Sequence, residues 1–256
     1  MNATGMIVKQ LLTPHSLLSE AQDSYGFTPA VTVDGDPLDF EMFAESVEYL
    51  CADLRACGVA SGCRIGLGVQ SGWIFVLTWH ALVSIDAVVI PVDLCDEDSV
   101  GIARDLDLDY LLTHRTHDDV LEDVIDELVH DESSIPVFRV ADEFALVEVG
   151  CGSSVRSGGG GLVSDLRTGI VEKTALLLVE AERIGRRLDL WPGVSVRLGG
   201  PLNTRPTMLL IIACATRGAC ACVESEAVLV AVEGVEMVPV IDRPGRPCEA
   251  PLLSVC

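Results

Sequence analysis

The chain has 256 residues, 49% of them hydrophobic, enough for one large domain or two lobes with a real core, while aromatics reach only 5%, so Val, Leu, Ile and Ala must build it. Its formal net charge is −22. All of that charge lies in residues 1–150, with 28 acids and 6 basic residues, whereas residues 151–256 carry 11 of each. An acidic half and a neutral half exclude DNA, RNA and anionic lipid as expected partners. A negatively charged ligand would meet the second half. The start, "MNATGMIVKQLL", has no secretory pattern, so ten cysteines read as reduced, packed side chains in a cytoplasmic protein. The run "WIFVLTWHALVSIDAVVIPV" is long enough to span a bilayer, but His80 and Asp86 interrupt it. It reads as buried helix, turn and buried strand.

In chain order, residues 11–24 read as a helix with Thr13 at its N-cap and Pro14 at its first position. "PAVTVDGDPLDF" carries an Asp-Gly hairpin signal. The next helix places Phe43, Val47, Leu50, Leu54 and Cys57 on one face and ends at Gly58. Strand and helix signals then alternate. "CRIGLGV" is a strand, 71–84 a helix, and "AVVIPV" a strand covered on both faces. "DEDSVGIARDLD" is a short helix with acids in its first turn. "YLLTH" is a strand, 118–130 a helix, and "IPVFRV" and "FALVEV" are strands. The glycine-rich passage "GCGSSVRSGGGG" precedes a helix over 169–188, the strand "SVRLGG", a helix over 207–216 and the strand "ACACV". Two further strand-like runs, 227–232 and 235–241, precede a Pro-rich tail. Such alternation predicts α/β layers with mainly parallel sheets flanked by helices. The charge shift suggests two lobes, 1–149 and 150–256.

Several residues invite a chemical reading. His80, in an apolar helix beside Trp79, is either a general base in a buried pocket or a packed core histidine. His114 and His117 next to Asp118 and Asp119 permit a metal site but fit ordinary helix capping equally, and no metal is expected. "CAC" directs Cys220 and Cys222 to one face of a strand, with no second pair at zinc-finger spacing, so it reads as packing. "GGPLNTRP" offers Asn203, Thr204 and Arg205 at a strand-to-helix turn, where α/β sheets bind ligands. These three and His80 are the candidate catalytic groups.

From Val31 to His114, and more loosely to Val223, the chain resembles the N-terminal part of the adenylate-forming superfamily, which includes acyl-CoA synthetases, nonribosomal-peptide adenylation domains and luciferases. The resemblance rests on the order of its motifs: the hairpin and helix of "GDPLDFEMFAES", the Gly-x-x-x-Gly turn of "GVASGCRIGL", and "DAVVIPVD", with Asp86 where the family usually has Gly. It implies a phosphate-binding loop at "GCGSSVRSGGGG". There Gly152, Ser153 and Ser154 stand for the Gly and hydroxyl positions, and Ser157-Gly158-Gly159 replaces Pro-Lys-Gly. Arg156 is the only cation nearby, so Ser153, Ser154 and Arg156 form the candidate ligand-binding loop. "LDLWPGVSVRLGGPLNTRP" resembles a later substrate-adjacent passage, with Asn203-Thr204 replacing an aromatic-His pair. The family's later motifs and small C-terminal domain have no counterpart in 224–256. The resemblance therefore implies a truncated homologue with no adenylation activity and no cofactor. Two functions follow as expectations. One is an ATP-independent enzyme of specialised metabolism that reuses the acyl pocket for an acyl or polyketide-like, possibly carrier-tethered, substrate. The other is a non-catalytic partner of a carrier protein or biosynthetic enzyme. Apolar sheet surface left open by truncation would favour a homodimer.

Overall fold

The computed structural model describes residues 16–33, 35–69, 72–94, 96–114, 137–140, 144–149, 159–198, 202–223 and 240–242. The chain runs α1 (Leu17–Tyr25), β1 (Pro29–Val33), β2 (Asp36–Asp39), α2 (Phe40–Ala56), β3 (Arg64–Leu67), α3 (Gly72–Ile85), β4 (Val88–Pro91), α4 (Glu97–Asp105) and β5 (Tyr110–His114). It continues with β6 (Val137–Val140), β7 (Phe144–Glu148), β8 (Gly161–Val163), β9 (Val171–Lys173), α5 (Thr174–Arg187), β10 (Ser195–Leu198), α6 (Arg205–Arg217), β11 (Cys220–Val223) and β12 (Val240–Asp242).

Two sheets result. One has the order β12-β10-β11-β1-β2, with β10, β11 and β1 parallel and an antiparallel strand at each edge. The other has the order β6-β7-β5-β3-β4-β8-β9, parallel from β5 to β8. β7 and β6 add antiparallel at one side and β9 at the other. The expected α/β layering of mainly parallel sheets is therefore present. Each sheet takes strands from both sides of residue 150, so the charge boundary is no boundary between sheets.

The alternation of side chains explains why "AVVIPV" is apolar throughout. Val89 joins the main core, which also holds Val31 and Ala221 of the first sheet. Val88 and Ile90 face the opposite way, into a second cluster with Val100 of α4 and Leu111 of β5. Helix α3 is buried on every face from Phe75 to Val83 and contacts both β1 and β4. Trp79 donates its indole N–H to the Met208 carbonyl at 3.2 Å, tying α3 to α6. Burying each large apolar side chain of this kind contributes roughly 1.5–3 kcal/mol.

Helix α2 follows its sequence signals closely. Asp39 caps it by accepting the Met42 N–H at 2.9 Å, an interaction contributing about 1 kcal/mol. Phe43, Val47, Leu50 and Leu54 are buried. Helix α1 begins at Leu17 with Ser16 at its N-cap position, later than the sequence pattern suggested, and Thr13 and Pro14 lie outside the described residues. The helix expected over 169–188 starts only at Thr174, because 171–173 form β9 against β8. The helix expected at 118–130 and the strand at 227–232 lie outside the described residues.

Asp86, where the resembling family usually has Gly, adopts φ +62°. Only Gly takes this left-handed conformation freely, and Asp tolerates it through local hydrogen bonding. Here Ser61 donates its hydroxyl to Asp86 Oδ2 at 3.1 Å, and the Asp86 carbonyl accepts the Gly62 N–H at 2.9 Å.

Candidate functional site

Two chain reversals meet at the carboxyl edges of the sheets. The first is the hairpin between β8 and β9. The second is the turn from β10 into α6. Arg205, the first residue of α6, joins them. Its guanidinium donates two hydrogen bonds to Glu172 of β9, from Nε at 2.7 Å to Oε1 and from Nη2 at 2.7 Å to Oε2. It donates a second pair to Glu180 of α5, at 3.3 and 2.7 Å. Ser164, at the start of the hairpin, adds its hydroxyl to Glu172 Oε1 at 2.6 Å. The geometry is the fork-to-carboxylate arrangement that Arg makes best. These hydrogen bonds hold the Glu172 carboxyl below its ordinary value and Arg205 above its own. Arg205 is a third exposed, so this cluster is screened by water.

The hairpin loop is closed on itself. The Asp165 side chain accepts the Arg167 N–H at 3.0 Å, and the Asp165 carbonyl accepts the Thr168 and Gly169 N–H groups at 3.3 and 3.1 Å. A phosphate cradle needs such N–H groups pointing at the ligand. Here they point inward, one to the Asp165 carboxylate and two to its backbone carbonyl, in a hairpin separate from the expected phosphate loop, most of which lies outside the described residues.

The remaining candidates are placed as follows. Thr204 occupies the N-cap position of α6, with its hydroxyl 3.0 Å from that of Thr207. Asn203 precedes it, half-buried. His80 is fully buried in α3, edge-on to the Phe43 ring at 5.3 Å between centroids. Its Nδ1 has no hydrogen-bond partner among the described residues. Burial alone pushes its pKa down to about 3, so it is neutral at any physiological pH. Ser153, Ser154 and Arg156 lie outside the described residues, as do His117, Asp118 and Asp119. Among the described residues no three metal-ligating side chains cluster, and His114 instead packs edge-on against Phe144.

The glycine run ends in backbone packing. A Cβ on Gly160 would lie 2.3 Å from the Asp86 backbone, and one on Gly161 would lie 2.3 Å from the Glu172 carbonyl oxygen. These two glycines let β8 enter between β4 and β9.

Sequence reasoning located the β10–α6 turn but missed Glu172, Glu180, Ser164 and Asp165. The available signal was weak: an acid inside the three-residue run "VEK", and an Arg-Pro helix start with no neighbouring acid to pair with.

No protein-family model matches the sequence, and no curated protein matches it at a significant level. Solved structures do match. A protein from Rhodopseudomonas palustris assigned as a long-chain-fatty-acid CoA ligase superposes with TM-score 0.62 at 17% identity, over 83% of this chain and 58% of its own. MbtA from Mycobacterium smegmatis gives TM-score 0.63 at 14% identity, over 85% and 44%. VinN in complex with 3-methylaspartate gives 0.59 at 14%, over 83% and 61%. The chain thus spans about half the length of the structures it matches. The shared architecture shows that this chain has the fold expected from the resemblance, that of part of the acyl-CoA ligases and adenylation enzymes.

Proposed function

We propose that this chain is a non-adenylating version of the adenylate-forming fold that acts by binding, as a partner of a carrier protein or biosynthetic enzyme in acyl or polyketide-like metabolism. The observation that carries this reading is the internal pairing of the polar groups at the β10–α6 turn. Arg205 is paired with both Glu172 and Glu180. The sequence supports it as well, since Lys9 and Lys173 are its only lysines and neither lies in "GCGSSVRSGGGG". Exposed Ile170, Leu176 and Val179 lie in the charge-neutral half and offer a partner an apolar contact. The likeness to fatty-acid ligases and to a 3-methylaspartate complex supports an acyl or carboxylic ligand class.

A second reading, an ATP-independent enzyme acting on an acyl or polyketide-like small molecule, is favoured by half-buried Asn203 and Thr204 at the carboxyl end of β10. One assay addresses both. Purified protein is tested for ATP–pyrophosphate exchange with long-chain fatty acids, aspartate and 3-methylaspartate, and for stoichiometric co-purification with candidate biosynthetic enzymes. Co-purification without exchange is expected. Robust exchange with any of these acids would falsify the proposal, and turnover of an acyl thioester without ATP would favour the second reading.

A further inference from the structure

Strand β11 carries a thiol pair that the proposed function does not use. Cys220 and Cys222 are two residues apart, so both side chains leave the same face of the strand. Their sulfurs lie 3.9 Å apart. Ala221 and Val223, pointing the other way, belong to the main core. The neighbouring strands surround the pair with polar groups by register. Ser195 of β10 stands opposite Cys220, and Arg197 stands opposite Cys222. Thr32 of β1 stands opposite Cys222 from the other side.

The two thiols are not equivalent. Cys220 is buried, and Cys222 is partly exposed. Hydrogen bonds from Cys220, Thr32 and Ser195, with the charge of Arg197, hold the Cys222 thiol below its ordinary value despite its burial. The same interaction with Cys222, together with burial, drives Cys220 upward. Cys214 of α6 is also raised, by burial in the core. A partly exposed sulfur flanked by hydroxyls and a guanidinium, with a second thiol in reach, is the setting of a reactive cysteine and its resolving partner.

We propose that Cys222 and Cys220 form a redox-active dithiol that exchanges with low-molecular-weight disulfides of the glutathione class. The Cys222 thiolate attacks one sulfur of the small disulfide. A Cys222–S–S–R bond forms and R–S⁻ leaves. Cys220 then loses its proton to solvent and its sulfur attacks the Cys222 sulfur, expelling a second R–S⁻. Both leaving thiolates take up protons. The pair is oxidised by two electrons and the small disulfide is reduced to two thiols. Residues two apart on a strand have Cα atoms roughly 6.6 Å apart, at the long edge of what a disulfide spans. The product bridge is therefore readily reversed by a thiol.

The test is incubation of the folded protein with glutathione disulfide at neutral pH, followed by peptide mapping by mass spectrometry. The expected wild-type product is a 220–222 peptide that has lost two hydrogens. In Cys220→Ser the intermediate should be trapped as one glutathione on Cys222, forming about ten-fold faster than adducts on Cys57, whose thiol pKa is raised by burial and Asp53. Wild-type protein that acquires adducts on Cys57 while 220–222 stays reduced would overturn the proposal. So would a Cys220→Ser protein, folded by circular dichroism, in which Cys222 reacts no faster than Cys57. The wild-type mapping stands alone if the variant does not fold.

Discussion

His80 and Arg205 make an instructive pair, because the fold handles the charge of each by opposite means. His80 lies fully buried, where desolvation alone removes its charge. Arg205 lies a third exposed at a turn, where two carboxylates offset its charge without removing it. Burial makes His80 a weak base, with no acidic partner among the described residues, while the Arg205 guanidinium already spends its donors on two carboxylates. Trp79 is the physical link between the two regions, since it sits beside His80 and bonds the helix that Arg205 begins. The comparison teaches that a candidate residue is judged by what already surrounds it, not by its chemistry alone.

The strongest way to break the link is Trp79→Ala. It removes a fully buried indole and its bond to Met208, and should cost about 3–5 kcal/mol in denaturant unfolding. Next comes pH. Folded His80 resists protonation down to about 3, while the unfolded chain takes up that proton below about 6.5. The His80 contribution to stability is therefore flat above that value and falls by roughly 1.4 kcal/mol per pH unit as pH drops toward 3. His80→Leu should remove this part of the acid slope, and an unchanged slope would show that His80 is reached by water. The smallest effect belongs to the Arg205 cluster. A double-mutant cycle of Arg205→Gln and Glu172→Gln should give a coupling under about 1 kcal/mol, weakened by salt. The sign with pH is the same as for His80, but its origin is the opposite: a charged form held by a partner rather than a neutral form held by burial. Glu172 is held below its ordinary value, so its contribution is complete above about 4.5 and is lost as pH falls through the lowered value.

Regular elements were legible wherever local periodicity was strong. The spacing of Phe43, Val47, Leu50 and Leu54 marked α2, and continuous apolarity marked β4. The hairpin of β8 and β9 was not legible, because each strand has three residues and one opens on glycine. Pairing with β4 creates β8, and that pairing is not encoded locally. The candidate site follows the same logic. The turn at 203–205 announced itself by composition. The partners of Arg205 lie 33 and 25 residues earlier in the chain, so no spacing rule could have joined them. Asp86 shows the converse: a departure from the family's Gly was visible in sequence, but its compensation by Ser61 required the fold.

The central proposal is that this chain binds no nucleotide phosphates. Its most direct test is the thermal unfolding of the protein with and without saturating Mg·ATP, since a ligand that binds only the folded state at about 100 times its dissociation constant would add about 2.7 kcal/mol. The account predicts no change in Tm at millimolar Mg·ATP. A rise in Tm that saturates with ATP would contradict it.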